Sequence, residues 1–196
     1  MTPRADPSTT EVDGRRRRTL ASRAHIVTAM LDLTRDGEIA VTAELVAERA
    51  RVGLRTVFRH FKDMDSLYRE MSLAIEASLA ADLALPFART GWRGKLDELI
   101  DRRAGVFERI TPFKRAEAAQ RHRSRFLEAD TRRLNAHLRE ILHDLLPEAV
   151  TAEAQVFEAL DLLLSFESWD RLRREQGLNP DQARNTLAKA IRRLMG

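Results

Sequence analysis

Four fixed positive charges lie between Arg51 and Lys62, in a stretch that contains no Asp or Glu. The planar arginine fork can pair with guanine or hold a phosphate, and Thr and His can hydrogen-bond to bases or to the DNA backbone. A solvated amphipathic helix can carry the same charges, so charge alone does not decide the function. The candidate DNA-contacting residues are Thr42, Arg51, Leu54, Arg55, Thr56, Arg59, His60 and Lys62.

Two short helices joined by a tight turn are predicted to position these side chains. Thr42 is a suitable N-cap for the first helix, and Val41 and Val46 are spaced as a hydrophobic staple. The Val52-Gly53 pair then turns the chain into the second helix. The apolar residues of the second helix fall within one arc of roughly 100° and are expected to face a core: Leu54, Val57, Phe58 and Phe61.

A resemblance to the helix-turn-helix of the TetR family of bacterial transcriptional regulators is carried by residues 42–67, TAELVAERARVGLRTVFRHFKDMDSL. The usual pattern of that family is T-x-x-x-I-A-x-x-A-G-V-S-x-x-T-[LV]-[YF]-x-[YH]-F. The resemblance is strong over about the first third of the chain, and later it is close only near ESWDRLRREQGLNP, residues 167–180. It implies a homodimeric repressor that is released from a palindromic double-stranded DNA operator by an unknown small-molecule effector.

Three positions depart from the family pattern. Arg51 stands where the family usually has the turn glycine, and a non-glycine residue with positive φ costs on the order of 1 kcal/mol. Gly53 replaces the serine that usually caps the second helix. Met64 occupies the place of a lysine that commonly holds a phosphate, and we expect Lys62 or Arg59 to replace that contact.

The composition indicates a globular protein with a sizeable core, since 43% of its 196 residues are hydrophobic. The absence of cysteine from the sequence excludes a disulfide framework and thiolate chemistry. The sequence contains no apolar run long enough to cross a membrane and no secretory signal. We therefore expect a cytoplasmic protein without a membrane partner.

Residues 1–18 are predicted to form a disordered basic leader, because Pro, Ser, Thr and acidic residues precede a run of arginines. Such an arm can lie along phosphates or enter a minor groove, and the alternative is a solubilising tail. The candidate arm residues are Arg15, Arg16, Arg17 and Arg18. A three-helix DNA-binding domain is expected over residues 19–64, and a helical effector-binding and dimerisation domain over residues 65–196.

The fold is predicted to be all-α with about nine helices, because helical spacing continues almost to the end of the chain and no strand alternation occurs. A long helix from Asp65 to Leu85, ended by Pro86, is expected to connect the two domains. Pro112 and the segment 128–130 are expected to separate the helices that follow, predicted over 95–110, 113–127 and 130–146.

A homodimer interface is expected near the C-terminus. The segment 156–166 is apolar on more than one face, and such a helix usually needs two partners. Residues 179–182 predict the N-cap, the first-turn proline and the capping-box glutamine of a last helix. The alternative is a helical hairpin packed within one chain. The candidate interface residues are Leu160, Leu163, Leu164, Ala183, Leu187 and Ile191.

The aromatic residues of the C-terminal part are expected either to line an effector pocket or to fill the core. The candidate pocket residues are Phe87, Phe107, Phe126, Phe166 and Trp169. No catalytic residue, cofactor or metal site is predicted, since the histidines lack helical i,i+4 pairing and no phosphate-binding loop occurs. The rival hypotheses are a DNA-binding regulator without an effector, a helical partner-binding protein that does not bind DNA, and a small helical enzyme.

Overall fold

A computed structural model describes residues 7–196 of the chain, with side chains from Arg16 onward. This part of the chain contains ten α-helices and no strand, which confirms the predicted all-α fold. No helix within it is long and apolar enough to cross a membrane. The helices are α1 (Pro7–Arg35), α2 (Ala43–Arg49), α3 (Leu54–His60), α4 (Met64–Leu83), α5 (Gly91–Gln120), α6 (Arg125–Leu145), α7 (Glu148–Thr151), α8 (Ala154–Leu163), α9 (Phe166–Asp170) and α10 (Pro180–Leu194).

The first helix begins earlier than the sequence analysis predicts. Helix α1 starts at Pro7, so residues 7–18 are helical and not the disordered leader that we expected. Arginine is a good helix former, so the arginine run extends the helix toward the N-terminus. The side chains of Arg16, Arg17 and Arg18 are exposed, whereas residues 1–6 and the side chain of Arg15 lie outside the described part.

Helices α1, α2 and α3 pack around a shared core. Ile26 and Met30 from α1 are fully buried beside Val46 of α2 and Val57 of α3. Thr42 caps α2 as predicted, because its hydroxyl accepts a hydrogen bond from the Leu45 amide at 3.3 Å. The cap and the buried faces together fix how α3 is presented to solvent.

The predicted apolar face of α3 is only partly buried. Val57 and Phe61 face the core, but Leu54 and Phe58 expose 38% and 47% of their surfaces, so the prediction is wrong for these two residues. At about 100° per residue, the buried pair lies at one edge of the apolar arc, and Phe58 lies at the other edge. Only one side of α3 is covered, so the far edge of the arc remains in solvent.

Helix α4 connects the first three helices to α6. Its first turn has a capping box, in which the Asp63 side chain accepts from the Ser66 amide at 2.8 Å. The next carboxylate, Asp65, accepts from the Ser124 hydroxyl at 2.5 Å and from the Phe126 amide at 3.3 Å. These bonds satisfy donors at the start of α6 and hold the two helix starts together.

The predicted helix breaks around Pro112 are wrong. Helix α5 continues through Pro112 to Gln120, and the chain breaks instead at the 3₁₀ turn Arg121–Arg123. A mid-helix proline loses one backbone hydrogen bond, and the burial of Phe107, Ile110 and Phe113 on the same helix offsets that loss. The side chain of Ser124 caps α6, so the segment 128–130 lies inside the helix.

The predicted dimer-interface residues lie inside a single chain. Five of them are buried, and Leu163 is partly buried between the two apolar clusters. Helices α5, α6, α8 and α10 of one chain meet in one of these clusters, so α8 finds its several partners without a second copy. The homodimer stays a prediction, and five of the side chains predicted for its interface pack within one chain: Leu160, Leu164, Ala183, Leu187 and Ile191.

Candidate nucleic-acid interface

Helix α3 follows α2 after a turn of four residues. Gly53 is its N-cap and provides no side-chain hydrogen bond, as its replacement of a serine predicts. The Gly53 carbonyl accepts from the Thr56 amide at 2.7 Å, which closes the first turn. At the other end, the Phe61 amide donates to the Val57 carbonyl at 2.9 Å. Helix α3 therefore has only seven residues, and no side chain caps its first turn.

Four exposed cations define what we call the cationic surface: Arg51, Arg55, Arg59 and Lys62. Within the described residues, none of the four forms an ion pair or a side-chain hydrogen bond. By contrast, Arg115 on α5 pairs with Asp170 at 2.8 Å. The charge of the cationic surface is thus not compensated by the chain itself, and it is available to phosphates.

Arg51 has the backbone conformation that its departure from the glycine pattern predicts. The φ angle of Arg51 is 52°, and Arg51 is the one non-glycine residue with a positive φ among the described residues. The Arg51 amide donates to the Glu48 carbonyl at 3.0 Å, and the Val52 amide donates to the Ala47 carbonyl at 2.9 Å. This left-handed turn ends α2 and points the chain into α3, at a cost that glycine does not have.

Replacing Arg51 with glycine is expected to raise the free energy of unfolding by about 0.5 to 1 kcal/mol. The strain of a positive φ disappears, and the greater freedom of glycine in the unfolded chain offsets part of the gain. Urea unfolding measures the difference. The matched control is Arg55→Gly within α3, which should cost about 1 kcal/mol of stability. Equal destabilisation by both replacements would show that the turn conformation carries no strain.

Arg23 of α1 anchors the end of α3, a role that the sequence analysis missed. Its guanidinium donates to the His60 carbonyl at 2.7 Å, pairs with Glu70 at 2.7 Å and lies over the Phe61 ring at 4.4 Å. One side chain therefore links α1, α3 and α4. Its place in the middle of α1 gives no local signal, because the three partners come together only in the folded chain.

His60 is less suited to DNA contact than the sequence analysis predicts. Its Nε2 atom is buried without a hydrogen-bond partner in the described part of the chain. Burial, followed by the nearby charges of Arg59 and Arg23, lowers the pKa of the His60 imidazole below its ordinary value. The ring is therefore neutral near pH 7, and its Nε2 atom does not face the surface.

The remaining predicted contacts have different surroundings. Leu54 is exposed beside the cationic surface, and Thr56 is half-buried. The Thr42 hydroxyl accepts the α2 capping bond, although the residue itself is exposed. Met64 packs partly against the core, and Lys62 is exposed, so the replacement of the phosphate contact by Lys62 remains a prediction.

Most of the predicted pocket aromatics fill the core. Phe107 and Phe166 pack edge to face with their ring centroids 5.7 Å apart, and Trp169 is buried with its indole donating to Glu108 at 2.9 Å. Phe87 lies under the Arg102 guanidinium, 4.6 Å from it. Phe126 borders a groove that is open to solvent and about 400 Å³ in volume. Phe107, Phe166 and Trp169 are thus packed in the core of this structure, and the pocket assignment stays a prediction.

The cationic residues of α3 and its flanks are all exposed, and Arg55 and Arg59 lie about 40° apart around α3. Comparison of the chain with family models, with curated proteins and with solved structures found no match.

Proposed function

We propose that this protein is a sequence-specific DNA-binding transcriptional regulator that places α3 in a major groove. The observation that carries the proposal is the cationic surface, whose four charges are exposed and unpaired within the described residues. A helix fits the major groove, where arginine can pair with guanine and neighbouring cations can hold phosphates. The motif resemblance supports the same function and implies that the regulator is a repressor.

We further propose that two copies bind a palindromic operator. A recognition helix of seven residues reads few base pairs, and a two-fold dimer doubles the site by placing two such helices about 34 Å apart. Because five of the six predicted interface residues are buried within one chain, the contact must rely mainly on other side chains. Leu162 on α8 exposes 66% of its surface, the largest fraction among the exposed large apolar residues of the described part.

The packing of the aromatic residues favours a regulator that binds no effector between these side chains. Phe107 and Phe166 contact each other, and Trp169 is buried against Glu108, so no ligand volume separates these three side chains. An effector bound there must first displace core contacts, which costs stability. We therefore propose DNA binding in the cytoplasm as the primary activity, and we assign no effector to these residues.

The proposed function is tested by measuring the affinity of the full chain for double-stranded DNA over a range of salt concentrations. A site is first selected from random-sequence duplexes. We expect log K to fall with log salt by about 0.9 per phosphate contact, and the selected site to bind more tightly than a scrambled duplex. An affinity that is independent of salt, or equal for selected and scrambled duplexes, would contradict the proposal.

A further inference from the structure

Two large apolar side chains lie exposed beside the cationic surface. Leu54 and Phe58 expose 38% and 47% of their surfaces, and they are four residues apart on α3. Residues with this spacing are neighbours on a helix. The pair therefore forms a small apolar patch on a helix whose other exposed side chains are polar or charged.

The apolar patch lies on the side of α3 that is next to Arg55 and Arg59. At about 100° per residue, Phe58 lies roughly 60° around the helix from Arg55, whereas Val57 lies about 100° from Phe58 in the other direction, toward the core. Phe58 is thus placed between the buried edge and the cationic edge of α3. A groove that receives Arg55 and Arg59 also receives Phe58.

Duplex DNA offers one apolar group to such a patch in the major groove. Phosphates and most base edges are polar, whereas thymine presents its C5-methyl group there. Covering this methyl group with Phe58 or Leu54 removes apolar surface of both partners from water. Phosphate contacts from the neighbouring cations supply the attraction that brings the patch to the bases.

On the basis of the proposed function, we propose that Phe58, together with Leu54, determines specificity by contacting thymine methyl groups. The half-site therefore contains thymine at the positions that face these two side chains. The arginines read or hold polar groups, and the apolar pair distinguishes thymine from cytosine and from uracil.

The test replaces each thymine of a selected duplex with uracil, one at a time, which deletes only the C5-methyl group. We expect affinity to fall about four-fold for each contacted thymine, the value that corresponds to burial of one methylene-sized group. This comparison uses the unchanged protein, so it does not depend on how any variant folds.

Protein variants then assign the contact. Phe58→Ala should weaken binding to the thymine duplex and should bind the thymine and uracil duplexes equally at one position. The matched control is Leu73→Ala on α4, which removes a side chain of similar exposure, 52%, and should retain both the affinity and the uracil effect. Circular dichroism checks that each variant keeps its helix content.

Two results would overturn the inference while leaving the proposed function intact. One is a selected site in which every thymine can be replaced by uracil without loss of affinity. The other is a Phe58→Ala variant with unchanged affinity and an unchanged uracil effect, which would place the methyl contact elsewhere. Failure of every duplex to bind in a salt-sensitive way would reject the proposed function together with this inference.

Discussion

Replacing Arg55 and Arg59 with alanine is expected to reduce specific DNA affinity by about 5- to 150-fold for each arginine that contacts a base or a phosphate. This range corresponds to about 1 to 3 kcal/mol for each contact. Both side chains are exposed, and within the described residues neither forms an ion pair that its removal would break. The fold should therefore be unaffected, and the loss should appear in binding titrations alone.

The salt dependence of these variants separates two roles for each arginine. Loss of a phosphate contact weakens binding to all sequences and reduces the salt slope by about 1, whereas loss of a base contact relaxes specificity at one base pair. A double variant of Arg132 and Arg171 is the matched control, because it removes the same charge from two exposed, i,i+4-paired arginines of the C-terminal half. Equal losses in both double variants would indicate nonspecific attraction by total charge.

Local signals account for what could be predicted around α3. The Thr42 cap and the turn after Ala50 involve residues within four positions of each other, and the structure has both. The positive φ of Arg51 follows from the same kind of signal, since it comes from a departure at one turn position. Interactions of this range depend little on the rest of the fold.

Interactions between distant helices account for the predictions that were wrong. Periodicity placed Phe58 and Val57 on one apolar arc, but only the position of α1 and α2 decides which edge of the arc is covered. The continuation of α5 through Pro112 depends on burial of its flanking side chains. Tertiary packing overrides local propensity in such cases. The spacing of neighbouring residues in a single sequence does not reveal that packing.

The residues predicted for the dimer interface are buried within one chain for the same reason. A helix that is apolar on more than one face needs several partners, and periodicity does not say whether they belong to the same chain. Leu160 is fully buried against α5, α6 and α10, whereas Leu162, two residues later, is exposed. The two leucines therefore report on different contacts, one within the chain and one available to a second copy.

Leu160→Ala is accordingly expected to lower the free energy of unfolding by about 2 to 5 kcal/mol, because it leaves a cavity in a fully packed core. The loss should be the same at all protein concentrations, since the contact lies within one chain. Leu162→Glu should leave the helix content unchanged and shift sedimentation from dimer to monomer, since it places a charge where we propose the second copy. If the Leu160→Ala loss instead disappears as protein concentration rises, Leu160 lies at the interface after all. If the Leu162→Glu variant sediments as the unchanged protein does, Leu162 is not part of the dimer contact. The two copies, each with its cationic surface, must then associate through another surface.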